Sequence, residues 1–174
     1  MTDLTPSATK NLDTLYGSGL LDWARAEAAM GGVPTPDHTY FIGTCRLDGT
    51  PHAAGIGAQW SEGSLYFTSS PVTRKYRDLS ENPKCTISVR LQGLDLVLDG
   101  QAQRVTDTAT LESVASGYRA GGWPAEVAEE ALTAPFSAPS AGPAPWHAFR
   151  FAVHSAVGVA TAEPFGATRW DFDH

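Results

Sequence analysis

Apolar and polar positions alternate with period two through Lys84–Leu91: Cys85, Ile87 and Val89 share one side, Thr86, Ser88 and Arg90 the other. That alternation predicts a strand with one buried face. Tyr40–Arg46 is equally rich in β-forming residues, and Asp48-Gly49 supplies a turn into a second run, Pro51–Trp60. Ser61-Glu62-Gly63 turns the chain again into Ser64–Ser69, so residues 38–69 read as a three-stranded meander. Leu94–Val105, His147–Val153 and Ser155–Thr161 are further strands, about seven in all, with Ala167–Phe172 a candidate for a last one.

Helical spacing is confined to short stretches. Leu20, Leu21, Trp23, Ala24 and Ala28 form a stripe that Gly31-Gly32 ends. Val72, Tyr76 and Leu79 give Pro71–Glu81 a second apolar face, closed by Asn82-Pro83 because proline biases its predecessor away from the α region. Thr106 or Asp107 caps a third helix through Leu111, Val114, Ala115 and Tyr118, which stops at Gly121-Gly122. Pro124–Leu132 reads as a fourth, with proline at its start and Glu129-Glu130 on its solvated face. Residues 1–13 read as a loose arm and Val33–His38 as extended; the proline-rich stretch 133–146 reads as a loop. A meander with helical insertions, rather than alternating strand and helix, predicts one domain over residues 1–174. Its expected class is α+β, mainly β, built as a small antiparallel barrel.

Composition narrows the chemistry. The chain has 174 residues and a net charge of −7, which removes the electrostatic basis for general nucleic-acid binding. Its two cysteines, Cys45 and Cys85, are too few for a disulfide framework or a closed zinc site. No run approaches ~20 continuous apolar residues, and the first residues lack the basic and apolar regions of a signal peptide. A cytoplasmic protein with reduced thiols is the expectation.

The five histidines are scattered, without ligand spacing, so no metal is expected. Gly55-Ile56-Gly57 begins like a dinucleotide fingerprint, but Trp60 stands where the third glycine belongs and a strand follows where a helix is needed. One cluster remains. Thr68-Ser69-Ser70-Pro71-Val72-Thr73-Arg74-Lys75 leaves a strand and enters a helix, bringing hydroxyls, free backbone N–H groups and two adjacent cations together. An anionic phosphate, with several acceptor oxygens and a charge to neutralise, suits that combination.

Asp48-Gly49-Thr50-Pro51-His52-Ala53-Ala54, Leu65-Tyr66-Phe67-Thr68, Thr73-Arg74-Lys75-Tyr76-Arg77-Asp78-Leu79 and Asn82-Pro83 occur in an order and spacing that resembles the pyridoxamine 5′-phosphate oxidase-like family of FMN-binding split barrels. Leu96–Ala102 followed by Val105-Thr106-Asp107 is similar to that family's strand-to-helix passage, and Ala167–Phe172 to a tail of its bacterial members. The resemblance implies a six-stranded antiparallel split β-barrel with short flanking helices, paired as a homodimer with cofactor sites between the subunits. It implies that Arg74 and Lys75 hold the cofactor phosphate and that Phe67, Thr68 and Ser69 line the ribityl chain. The backbone of His52, Ala53, Ala54, Gly55, Ile56 and Gly57 would then run along the ring, where small residues allow close approach. Arg169 is either a residue that reaches the phosphate from the partner subunit or a surface arginine. Trp170, like Trp60 and Trp146, serves either ring stacking or the core or dimer interface.

Vitamin B6 oxidases of the family carry Arg and Lys in the second strand, where this chain has His52 and Gly57, and an Arg-x-His pair near the C-terminus that this chain lacks. Pyridoxamine phosphate is therefore not the expected substrate. The Pro51-His52-Ala53-Ala54 strand more closely resembles the actinobacterial reductases that use the deazaflavin coenzyme F-420. The implied activity is hydride transfer between FMN or coenzyme F-420 and a small organic substrate, with no side chain nominated as catalytic acid or base. The alternatives are a flavin, deazaflavin or haem carrier or sensor without turnover, and a cofactor-free interaction barrel.

Overall fold

The computed structural model describes residues 4–32 and 38–173; the expected extended segment 33–38 lies outside them except for His38. The elements in chain order are β1 (Ala8–Asn11), α1 (Trp23–Met30), β2 (Tyr40–Cys45), β3 (Pro51–Ile56), β4 (Ala58–Ser61), β5 (Ser64–Ser69) and α2 (Arg74–Glu81). They continue with β6 (Lys84–Leu91), β7 (Leu94–Arg104), α3 (Thr108–Ala120), β8 (Glu126–Ala128), β9 (Ala131–Thr133), β10 (His147–Ala160) and β11 (Ala167–Asp171).

The strands close on themselves. β3 pairs with β2, β2 with β6, β6 with β7 and β7 with β10; β10 then pairs with β5, and β5 with β4, all antiparallel. Only Gly57 separates β3 from β4, so the predicted strand Pro51–Trp60 is one bent ribbon whose partner changes from β2 to β5 at that glycine. Six ribbons and one opening make a split β-barrel, α+β in class and mainly β.

Turn chemistry sets the register. Asp48 accepts the Thr50 N–H at 2.8 Å and Gly49 takes φ 84°, closing the β2–β3 hairpin. Between β4 and β5, Glu62 and Gly63 both have positive φ, as a two-residue turn matched to strand twist requires. The expected inward set of β6 is the observed one, and Leu94, Leu96 and Leu98 of β7 meet it. Ile42, Leu65, Phe67, Ile87, Leu98 and Phe151 are fully buried in the barrel, each contributing roughly 1.5–3 kcal/mol.

Helix α1 closes one region of the barrel through Trp23, whose ring lies 5.4 Å from Trp170 and 4.8 Å from Phe172. Helix α3, capped by Asp107 accepting the Thr110 N–H, builds a second cluster outside β5 and β10 with Leu111, Val114, Ala115 and Leu132. No helix among the described residues is long and apolar enough to cross a membrane.

Four segments differ from expectation. Within the predicted loose arm, Ala8–Asn11 pairs with β11 from Ala8↔Asp171 to Asn11↔Thr168, an association invisible to local pattern. The predicted helix Pro124–Leu132 is the β8–β9 hairpin, with Glu129 at φ 56° in its turn and Leu132 exchanging both backbone hydrogen bonds with Trp146. His147–Val153 and Ser155–Thr161 join as the single strand β10, the register against β7 slipping between Val153 and Ser155. A bulged strand keeps its direction while its alternation changes phase, and the pattern alone reads as two strands.

Candidate functional site

At the split, beside Gly57, lies a cavity of about 500 Å³, within the usual range for small-molecule sites. Its lining includes Gly55, Ile56 and Gly57 of the bent ribbon, Thr68 at the end of β5, Lys75 on α2, and Tyr118 and Trp123 at the end of α3. Ser137, Ala138, Ser140 and Ala141 of the proline-rich loop add to the lining. The two indole N–H groups nearby hold that loop down: Trp123 donates to the Phe136 carbonyl at 2.6 Å and Trp146 to Gly142 at 3.2 Å.

The floor is bare main chain. A Cβ built on Gly55 or Gly57 meets nothing within 4 Å, so space is open directly above the backbone. The Tyr118 hydroxyl donates to the Gly57 carbonyl at 2.8 Å, and burial raises that phenol far above its ordinary value, keeping it a donor.

The wall carries one unpartnered cation. Lys75 is only 7% exposed, and among the described residues its ammonium has no hydrogen bond or ion pair. Burial accordingly lowers its pKa from the ordinary lysine value. An ammonium carried on a largely buried side chain and facing the cavity without a described counter-charge favours an anion there.

Its neighbour behaves differently. Arg74 points Nε and a terminal nitrogen at Asp78 Oδ1, 2.7 and 2.6 Å away. Asp78 is fully buried; burial alone would raise its pKa, but the hydrogen bonds from Thr44 and Arg74 hold it below the usual carboxylate value. The turn before α2 is closed on itself: the Thr73 hydroxyl donates to the Ser70 carbonyl, so the hydrogen between it and Ser69 Oγ, 2.7 Å away, comes from Ser69. Tyr76 places its hydroxyl 2.8 Å from His147 Nδ1, and burial together with Arg104 lowers the imidazole's pKa.

The expected site residues thus fall into several places. Gly55, Ile56, Gly57, Thr68 and Lys75 share the cavity. His52 and Ala53 border a second, shallower concavity of about 800 Å³, together with Gly43, Thr86 and Asp99; His52 Nδ1 is 4.0 Å from Asp78 Oδ2 without a hydrogen bond. Ala54 is half-buried against the barrel core, Ser69 lies within the turn, and Phe67 stacks on Phe149 inside the barrel. Trp170 is 1% exposed in the Trp23 cluster. Arg169 is ion-paired with Asp171 and pairs with Val157, nine residues along β10 from the Ala148 that faces Thr68. That separation is roughly 30 Å of strand.

Sequence reasoning missed Tyr118, Trp123 and the serines of the loop as lining. Tyr118 sits on the apolar face of α3 like a core residue, and no local signal marks its hydroxyl. Asp78 was visible, four residues after Arg74 on a helix, a spacing that pairs opposite charges.

Among solved structures, an F420 reductase matches with a TM-score of 0.52 at 20% identity, covering 75% of this chain and 94% of its own. PhzG from Burkholderia lata 383, solved with tetrahydrophenazine-1-carboxylic acid, matches at 0.53 and 15%, covering 84% and 80%. HupZ of Group A Streptococcus matches at 0.54 and 11%, covering 82% and 97%. These identities show a common fold. No curated protein matches. The family model for pyridoxamine 5′-phosphate oxidase spans residues 30–156, from the end of α1 to the middle of β10, and so takes in both the bent ribbon and the Arg74-Lys75 helix: by that match the chain belongs to the pyridoxamine 5′-phosphate oxidase family.

Proposed function

We propose that this chain is a flavin- or deazaflavin-dependent oxidoreductase that moves hydride between FMN or coenzyme F-420 and a small organic substrate, as a cytoplasmic homodimer. The observation that carries the reading is Lys75, a residue only 7% exposed whose ammonium has no counter-charge among the described residues, beside open main chain at Gly55 and Gly57. That combination fits a molecule with an anionic tail and a flat ring. Lys75 holds the tail, Thr68 lines the same cavity with its side chain bonded to Tyr118, and the Gly55–Gly57 backbone receives the ring. Tyr118, Trp123 and the proline-rich loop exclude water. The cofactor, when bound, supplies the hydride chemistry, and the protein contributes anchorage, orientation and dryness.

Pairing of two copies is supported by apolar side chains on the outer face of the barrel. Phe41 is 50% and Val97 45% exposed, on strands joined through Ser88, and β3 leaves its outer edge without a strand among the described residues. The reading of the compartment rests on free thiols at Cys45 and Cys85, the latter buried and pushed up to about 12.

Equilibration with FMN and with coenzyme F-420 separately, followed by desalting and an absorption spectrum, tests the reading. Retention of one chromophore in equal ratio to protein is expected, and a colourless protein from both mixtures overturns it. A retained chromophore that a reductant bleaches but no acceptor reoxidises identifies a carrier or sensor. Sedimentation reports the dimer.

A further inference from the structure

We infer that Arg74 is a positioning residue, withdrawn from ligand binding by Asp78, so that Lys75 alone meets the anionic group of the ligand. The inference rests on the cofactor reading above for the ligand, and on the pairing geometry for Arg74. The resemblance implies that both cations grip the phosphate, and the structure divides their work.

Asp78 makes the division. Its carboxylate is 0% exposed and accepts the Thr44 hydroxyl on Oδ2 at 2.8 Å and the Arg74 guanidinium on Oδ1 through two nitrogens. His52 Nδ1, at 4.0 Å, is too far for a hydrogen bond. Arg74 is thus the cation directly bonded to a fully buried charge. If it swung toward a ligand, Asp78 would be left ionised and unpaired inside the protein, the arrangement that buried pairs resist most strongly. The guanidinium's remaining donors do not border the cavity, whose lining includes Lys75 and not Arg74.

Lys75 has no such obligation. It follows Arg74 directly, and successive residues on a helix are turned by about 100° from each other. With Arg74 directed along the helix to Asp78, the next side chain enters the cavity, where no described residue pairs with it. Thr44 lies on β2, so the Thr44–Asp78–Arg74 chain of bonds ties α2 to the barrel wall and fixes its rotation. That rotation is what aims Lys75.

The experiment compares FMN with riboflavin, which has the same ring without the phosphate, by fluorescence titration of the full chain. Lys75→Gln is expected to lose ten- to a hundredfold in FMN affinity and nothing in riboflavin affinity. The double variant Arg74→Gln/Asp78→Asn removes one charge of each sign and can retain an amide–amide contact. It is expected to keep the wild-type ratio of FMN to riboflavin affinity within threefold. A tenfold or greater fall in that ratio, with the chain folded by circular dichroism, shows Arg74 on the phosphate and overturns the inference. Should the double variant not fold, Arg74→Lys keeps the charge but loses the two-nitrogen grip. It is expected to lower the melting temperature with the affinity ratio intact, and a changed ratio overturns the inference equally.

A readout independent of any flavin separates this inference from the cofactor reading. The Arg74 Nε–Hε resonance of the ligand-free protein is expected to be resolved, slow to exchange, and lost in Asp78→Asn. Its absence from the wild type overturns the inference whatever binds. A wild-type chain that retains neither FMN nor coenzyme F-420 overturns the cofactor reading and, with it, the role given to Lys75, while this resonance still decides the withdrawal of Arg74.

Discussion

The Tyr118 hydroxyl reaches across from the end of α3 to the Gly57 carbonyl, 2.8 Å away, at the one residue where the bent ribbon leaves β2 and joins β5. The helix that closes the cavity is thereby tied to the backbone that forms its floor. In Tyr118→Phe the ring stays and the carbonyl loses its donor, a loss of about 1 kcal/mol. For a chain of this length the melting temperature should fall by roughly 2–4 °C. Because the floor is less well held, the affinity for the ring portion should fall too, read as riboflavin binding. An unchanged melting temperature would show that this bond adds nothing in water.

Much of this architecture is legible in the sequence. The alternation of Cys85, Ile87 and Val89, the Asp48-Gly49 turn and the Asp107 cap each act through neighbours a few residues apart, and a local pattern captures such effects. What stayed hidden is non-local. The β1–β11 pairing joins residues more than 150 positions apart, and the split at Gly57 exists only because β4 finds β5. In the site, the pair Arg74-Lys75 was legible as a pair. Its division was not, since that depends on Thr44 arriving from β2 to hold Asp78.

Lys75 also sets a pH dependence. Burial lowers its pKa in the folded chain below the ordinary value of 10.5, so at pH values approaching 10.5 from below the unfolded chain binds more protons than the folded one. Stability attributable to this residue therefore rises with pH over that window, as the uncompensated charge is discharged. At pH 7, without ligand, Lys75→Met should be more stable than the wild type, and the gap should narrow as pH approaches 10.5. Paired urea titrations of the two proteins cancel the tyrosines that titrate nearby. A gap constant across pH would mean that Lys75 is solvated.

Asp78 acts at the other end of the scale with the opposite sign. Its pKa is held below the ordinary 3.8 by Thr44 and Arg74 despite its burial, so the unfolded carboxylate takes up a proton first as pH falls. The stability it contributes is complete above about 3.8 and is lost as pH drops through the folded value. Asp78→Asn should be less stable than the wild type at pH 7, and the difference should shrink between pH 4 and pH 2. Acid-unfolding curves followed by tryptophan fluorescence measure it, and parallel curves for the two proteins would contradict the assignment.

Trp170 provides the sharpest test of core against site. Its ring is 1% exposed, edge-on to Trp23, and it faces Gly158 of β10 so closely that a Cβ there would lie 2.8 Å from two ring carbons. Gly158→Ala must therefore displace the indole or the strand, and overpacking of this kind costs roughly 1–3 kcal/mol. The register puts Gly158 ten residues beyond the Ala148 that pairs with Thr68, so the disturbance begins at the far end of β10 from Lys75. The expected outcome is a lower melting temperature and a shifted tryptophan emission, with FMN or F-420 affinity changed less than threefold. Should the alanine variant keep its melting temperature and lose the cofactor, Trp170 would belong to the binding site of the assembled protein rather than to the barrel's interior.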